Sequence, residues 1–354
     1  MTTAPEREDM FEVIKKKIDS ELVKLLRTER FRSLKEISPS LEQAISDFVG
    51  RDGKRIRPIM FVVGYLGYAG KPAPGLYMSA LSIELLHDFM LIHDDIIDKS
   101  DLRRGKPAMH VLLNKGINKN SKVKFSGQDL AIVAGDVVYA MAIHAFLEIK
   151  VDMKYKEQGL RKFVDAALYT GAGEFIELLL GGEKLSEVGL ADIYKIYDFK
   201  TAYYTFSCPL SVGAVLANAP AAEIKKLNDY GICLGRAFQI KDDIIGMFSN
   251  AAESGKPSLS DLQEAKKTVL IYYASRMGSN SQRAAINAVL VKKTVTKADL
   301  ERMRGIIVDC GALERVKKEV VILRSRAVDL GNSLRMRGIY RHALADYAER
   351  LLAC

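Results

Sequence analysis

The sequence predicts an all-α protein, and three observations carry that prediction. Apolar residues recur at helical spacing through most of the 354 residues. Alanine, leucine, isoleucine, lysine and glutamate dominate, whereas proline is scarce (9) and tryptophan absent, a mixture that favours helix. No run alternates apolar and polar residues for more than a few positions, so strands are not expected. No repeat, low-complexity tract or linker divides the chain, which predicts a single domain over residues 1–354. Its expected form is a bundle of roughly ten or more helices, with the chain ends outside the central bundle.

The elements follow in order. Residues 8–28 place Phe11, Ile14, Ile18, Leu22 and Leu25 on one stripe, the mark of an amphipathic N-terminal helix within residues 1–35. A short second helix is expected at 39–49, after "ISPS", whose serines suit an N-cap. Glycine and proline clusters at 70–75, 105–107, 181–182 and 255–257 punctuate further helical runs, and the polar stretch 114–127 reads as loop. Residues 130–149 form the most membrane-like window. Asp136, His144 and Glu148 interrupt it, so a buried helix is expected and no transmembrane segment. The mixed-charge start lacks the apolar core of a secretory signal.

Composition narrows the function classes. At 48% hydrophobic and 27% charged residues, the chain has ample material for a core. Cysteines 208, 233, 310 and 354 lack paired spacing, which points to a reducing cytoplasm and away from a thiolate metal cluster. The net charge of +9 comes from Lys and Arg that are spread out with little aromatic interleaving. That is not the clustered patch of a nucleic-acid binder; an anionic substrate or an anionic membrane surface accounts for it equally well.

The chemistry concentrates in "LSIELLHDFMLIHDDIIDKSDLRRGKP", residues 81–107. On a helical wheel Glu84, His87, Asp88, Asp94, Asp95 and Asp98 fall within an arc of about 120°, and apolar residues fill the rest. Carboxylates one turn apart repel, and a helix C-terminus disfavours them further. A cation between them removes both penalties. Asp94 and Asp98 sit one turn apart and could reach the same ions, and oxygen-only ligation, without histidine or cysteine, suits Mg²⁺. Arg103 and Arg104 follow at once, and arginine's planar fork matches phosphate oxygens. Together these residues describe a site for a magnesium diphosphate.

A second acidic segment, "GRAFQIKDDIIG" at 235–246, puts Arg236, Gln239, Asp242 and Asp243 on one helix face. Facing the first segment, it would complete jaws around a metal cluster. "GRDGKRIRP" at 50–58 sets Lys54, Arg55 and Arg57 around Gly53 at a helix start, an anion site in which Pro58 lies just inside the helix. "YDFKTAYY" at 197–204 offers Lys200 and Thr201, and "SDLQEAKKTVL" at 260–270 adds Lys266 and Lys267. Two or three phosphate-sized cationic sites make two phosphorylated substrates plausible.

In this order, "GKRIRP", "ELLHDFMLIHDDIIDKSDLRRGKP", "VAGDVVYAMA", "DFKTA", "GRAFQIKDDIIG", "GKPSLSDLQEAKKTVL" and "YAER" resemble the trans-type isoprenyl diphosphate synthases, the farnesyl and geranylgeranyl diphosphate synthase family, from about residue 50 to 350. The resemblance implies an all-α, single-domain bundle around a deep apolar cavity, usually a homodimer, with three Mg²⁺ ions per active site. It implies that Asp94 and Asp98 ligate Mg²⁺ with Asp95 in support, and that Asp242 ligates a further ion with Asp243 in its water shell. Arg103, Lys200 and Lys266 would hold the allylic diphosphate. Gly53, Lys54, Arg57, His87 and Arg104 would hold isopentenyl diphosphate, and Thr201 and Gln239 would line the reacting centre. His93 points to the opposite side of its helix and is expected to be packing.

Two positions depart from the family pattern. Gly246 stands where a third aspartate is common, which predicts a weaker outer shell for that ion. "GEFIE" supplies Glu174 and Glu177 where Gln and Asp are usual, and Glu177 is expected to take the outer-shell role with a longer arm. Phe89 and Met90, five and four residues before Asp94, fall at the family's chain-length positions. The single aromatic resembles the geranylgeranyl-forming (C20) type, although the wheel puts Met90 more directly below Asp94 than Phe89. Farnesyl diphosphate (C15) or longer products are the alternatives. A terpene cyclase would not need "GKRIRP" and His87, and a non-catalytic synthase subunit would have lost aspartates that are present here.

Overall fold

The computed structural model describes residues 9–117, 122–248 and 260–352. The expected all-α class is what it shows: helices throughout, plus one hairpin of two-residue strands, Leu102–Arg103 paired antiparallel with Lys106–Pro107. The glycine–proline cluster at 255–257 and Cys354 lie outside the described residues. By packing, the chain forms two compact units. One comprises residues up to 163 together with 212–218, the other 164–211 with 219 onward.

The first unit opens with α1 (Met10–Leu25), capped by Asp9, whose carboxylate accepts from the Phe11 amide at 3.0 Å. Phe11, Ile14, Ile18 and Leu22 are buried, so the expected stripe is the packing face. The expectation that the N-terminal helix stands outside the bundle is corrected here. That stripe needs an apolar partner, and α1 packs on α4 (Ile56–Tyr68) and α5 (Leu76–Ile97) with Ile18 completely buried. A helix at Glu29–Ile37 (α2), capped by Thr28, was not anticipated. The next, α3 (Pro39–Val49), starts at its serine cap Ser38 as expected.

Helix α4 is buried continuously from Pro58 to Gly67, which explains why its sequence shows no polar face. Helix α5 ends in a left-handed cap. Lys99 takes φ 55°, the Ser100 amide bonds back to the Asp95 carbonyl at 2.9 Å, and the Lys99 amide to Ile96 at 3.3 Å. This Schellman arrangement stops the helix directly after Asp98. Beyond the hairpin come α6 (Met109–Gly116) and α7 (Gly127–Leu147). The stretch 114–127, expected as loop, instead begins with the last turn of α6; residues 118–121 are outside the described set.

Helix α7 lies along α5. Ser79 Oγ donates to the Phe146 carbonyl at 2.7 Å, and Gly135 leaves room for the His93 ring, which a Cβ at that position would strike. Burial covers one face of α7, including Ala131, Ala134, Val138, Ala142 and Phe146. Ile132 (42%), Val133 (57%) and Leu147 (41%) remain exposed on the other. The helix is long and apolar enough to span a membrane by length and composition; the expectation of a buried helix holds for one face and not for the other.

A long helix, α8 (Met153–Gly182), leads into the second unit. There α9 (Leu190–Ile196) runs into a π-helix at Tyr197–Ser207; α10 (Cys208–Leu216) returns to the first unit from residue 212, and α11 (Ala221–Phe248) belongs to the second. Helix α11 packs tightly on the π-helix because Gly231 and Gly235 bring it against the backbone of Ser207 and Ala202. The C-terminal helix Gly338–Leu351 is packed, not external. It buries Leu344, Ala345, Tyr347 and Ala348, and its Leu344 carbonyl accepts from the Tyr230 hydroxyl at 2.8 Å. The first and last described helices therefore both carry core residues.

Candidate active site

The first unit presents its acids at the end of α5. Carboxylate oxygens of Asp94 and Asp98 lie within 4.8 Å of each other, on half-buried side chains. Two hard oxygen donors at that separation fit a divalent cation such as Mg²⁺. Asp95 has a different environment. It is fully buried and accepts from Arg103 through Nε at 2.7 Å and through Nη2, while Arg103 Nη2 also reaches Asp94 Oδ2 at 3.4 Å. Burial raises the Asp95 pKa and Arg103 opposes the rise. Arg103 is thus fixed beside the acid pair by Asp95.

Arg104 turns the other way. It sits over Gly53, where a Cβ would lie 3.3 Å from Nη1, and that nitrogen donates to the Asp52 carbonyl at 3.3 Å. Both Arg104 (φ 53°) and Arg55 (φ 51°) occupy the left-handed region, a strained state for a side-chain-bearing residue. Arg55 does not serve as a surface cation: it is buried, donating to Glu84 Oε1 at 2.8 Å, Asp19 Oδ1 at 3.0 Å and the Arg51 carbonyl at 2.7 Å. Lys54 is exposed on the same loop, and Arg57 is half-buried. His87 faces Arg57 and Arg104; burial first, then those cations, push its pKa well below the usual value, so it is a neutral imidazole at pH 7. The structure thus brings Gly53, Arg57, His87 and Arg104 near one another.

In the second unit the π-helix and α11 share a hydrogen-bond chain. Thr201 Oγ1 donates to Gln239 Oε1 at 2.7 Å, Gln239 Nε2 donates to Asp243 Oδ1 at 3.0 Å, and the Tyr197 hydroxyl donates to Asp243 Oδ2. Tyr197 also accepts from the Val269 amide at 2.9 Å. Asp243 is consequently buried and held, whereas Asp242, next to it, is exposed. Tyr197 escaped the sequence reading; its only signal was its place one turn before Thr201. A π-helix widens the turn and recurs at functional sites, and here it carries both Thr201 and Lys200. Lys200 Nζ contacts Glu174 at 2.5 Å and also Glu177, so those two acids are bound up with the lysine. Arg236 holds Asp198 through two bonds of 2.6 Å, a clamp between α11 and the π-helix. Lys266 pairs with Glu264 at 2.7 Å, while buried Lys267 donates to the Gly181 and Ala265 carbonyls.

Phe89 is half-buried on α5 and stacks against Tyr139 of α7 (centroids 5.0 Å) and His93 (4.7 Å). Met90 beside it is also half-buried.

Carboxylates paired for a divalent ion, with arginines locked beside them on an all-helical scaffold, define the class: a protein that handles metal-bound anionic groups. Comparison with known proteins makes this particular. Residues 38–307 match the family described as Polyprenyl synthetase, and the chain belongs to that family, among the trans-type isoprenyl diphosphate synthases. It is 32% identical over 270 residues to the geranylgeranyl diphosphate synthase of Saccharolobus solfataricus, covering 76% of each chain. To the geranylfarnesyl diphosphate synthase of Aeropyrum pernix it is 32% identical over 283 residues, covering 78% of this chain and 82% of that one. Its fold matches a geranylgeranyl pyrophosphate synthase of Corynebacterium glutamicum, solved with isoprenyl diphosphate and magnesium, with a TM-score of 0.87 at 26% identity over 98% and 99% of the two chains.

Proposed function

We propose that this protein is a cytoplasmic prenyltransferase that condenses isopentenyl diphosphate with an allylic diphosphate to give geranylgeranyl diphosphate. The observation that carries the reading is the close Asp94–Asp98 carboxylate pair followed by two arginines fixed in different directions, Arg103 by Asp95 and Arg104 over Gly53. One such arginine serves each diphosphate.

In this reading Asp94, Asp98 and Asp242 would hold Mg²⁺, three ions in all, with Asp95 and Asp243 in support, and the metal would supply charge neutralisation to a departing diphosphate. Arg103, Lys200 and Lys266 bind the allylic diphosphate and stabilise the charge it gains when the allylic C–O bond breaks. Gly53, Lys54, Arg57, neutral His87 and Arg104 bind and orient isopentenyl diphosphate. Its double bond forms the new C–C bond to the allylic cation, and a proton passes to the released diphosphate. Thr201 and Gln239 present oxygens near the developing cation. Glu177 takes its outer-shell role through Lys200, and the absent third aspartate at Gly246 weakens the shell about Asp242. The chain acts as one synthase domain and as a homodimer.

Phe89, braced by Tyr139, sets the C20 stop, with Met90 beside it. A longer product is the second reading, favoured by the likeness to a geranylfarnesyl diphosphate synthase. The test supplies purified protein with Mg²⁺, isopentenyl diphosphate and C5, C10 or C15 allylic diphosphates in separate reactions, and sizes the products. Elongation to C20 that stops when EDTA removes the metal is expected. Failure to elongate any primer sinks the proposal, and hydrocarbon made without isopentenyl diphosphate indicates a cyclase.

A further inference from the structure

Asp88 has no part in the reaction as described, yet it is more deeply buried than any acid around the isopentenyl site: 1% exposed, against 4% for Glu84. The two lie one helical turn apart on α5 and share a face. Around them stand Arg55 and Arg57 from the start of α4 and Arg104 from the hairpin, with Asp19 of α1 behind Arg55; His87 of α5 lies among the same arginines. Glu84 is satisfied there, by Arg55 at 2.8 Å with Arg104 at 3.9 Å. Asp88 is not. Neither of its carboxyl oxygens has a hydrogen-bond partner among the described residues.

An ionised carboxylate buried without a donor is a costly state, and a second anion one turn away raises the cost. A neutral acid at the same place gives up much less. Burial first and Glu84 second drive the Asp88 pKa well above the usual carboxylate range, with Arg104, Arg55 and Arg57 opposing.

We propose that Asp88 is a proton-carrying acid behind the isopentenyl diphosphate cradle. Asp88 and Glu84 then present one negative charge in place of two, and Arg57 and Arg104 keep their charge for the diphosphate. Asp88 is a positioning residue: it acts through the arginines and touches no substrate. The proposal rests on the reading of Gly53, Arg57, His87 and Arg104 as a diphosphate site.

The test is equilibrium unfolding of the full chain, wild type against Asp88→Asn, at one protein concentration. A carboxyl that is protonated when folded and ionised when unfolded makes the native state the more protonated one. Above the unfolded-state pKa of about 3.9, wild-type stability then falls as pH rises. For one proton the folding constant drops about tenfold per pH unit. Asn cannot ionise, so from about pH 5 to pH 7 the folding constant of Asp88→Asn should gain on wild type by about tenfold per unit. Asp88→Ala provides the same slope if the asparagine variant does not fold.

Parallel stability profiles for wild type and variant overturn the proposal. So does a tenfold or greater fall in the KM for isopentenyl diphosphate in Asp88→Asn at pH 7, which marks removal of a standing negative charge. A chain that elongates no primer defeats the diphosphate reading while leaving the unfolding slope to be measured, so the two failures are distinguishable.

Discussion

Phe89 illustrates how one residue acquires a role from its neighbours. On a helical wheel it lies further from Asp94 than Met90 does, and nothing in the sequence pulls it back. The structure pins its ring between Tyr139 and His93. Aromatic pairs at such distances contribute about 0.5–1.5 kcal/mol beyond their burial, enough to hold a ring in one orientation. Phe89→Ala should therefore shift the product distribution beyond C20, read by sizing the prenyl chains. A product profile identical to wild type would remove Phe89 from chain-length control. Arg55 teaches the opposite lesson. In "GKRIRP" it is indistinguishable from its basic neighbours, but Glu84 and Asp19 take it into the interior.

At the scale of elements, the end of α5 depends on local geometry that the sequence states only in part. Lys99 accepts the left-handed conformation usually given to glycine, and that stop leaves Asp94 and Asp98 in the last turn and at the cap. The α5–α7 seam depends in turn on Gly135. A methyl group there meets the His93 ring, and His93 Nδ1 is already engaged with the Phe89 carbonyl at 3.1 Å. Gly135→Ala should cost about 1–3 kcal/mol through overpacking, seen as a lower denaturant midpoint, and His93→Ala in the same chain should recover most of it. Additive losses in the double variant would show that the two positions are not coupled. His93, expected from the helical wheel to be packing, sits in this seam.

At the scale of the whole molecule, folding of one chain leaves apolar side chains open on α7, as it does on α8. Ile132 and Val133 stand on one face of α7 at 42% and 57% exposure, in a helix whose other face is core. A second copy of the chain covering this face is the proposed dimer. Ile132→Asp with Val133→Asp should convert a dimeric mass to a monomeric one by light scattering. A dimer that persists unchanged would place its interface elsewhere.

The all-α class, the amphipathic first helix, the serine cap of α3 and the acid–arginine runs were legible because each is a local pattern. Periodicity, capping chemistry and charge spacing act within a few residues, and the chain carries them wherever it folds. Lys54, Arg55 and Arg57 looked alike for the same reason: local pattern does not say which way a cation turns. Only packing decided that Arg55 is structural while Arg104 lies over Gly53, that Asp95 serves Arg103, and that Tyr197 anchors Asp243. These partners are brought together by α4, α5, the hairpin, the π-helix and α11, elements separated in the chain. The sequence by itself determined which chemistry is present, since side-chain type sets charge and ligand preference. The tertiary structure decided which of those groups are taken up in structural pairs, because burial makes an unpaired charge costly and so draws a buried ion to a partner.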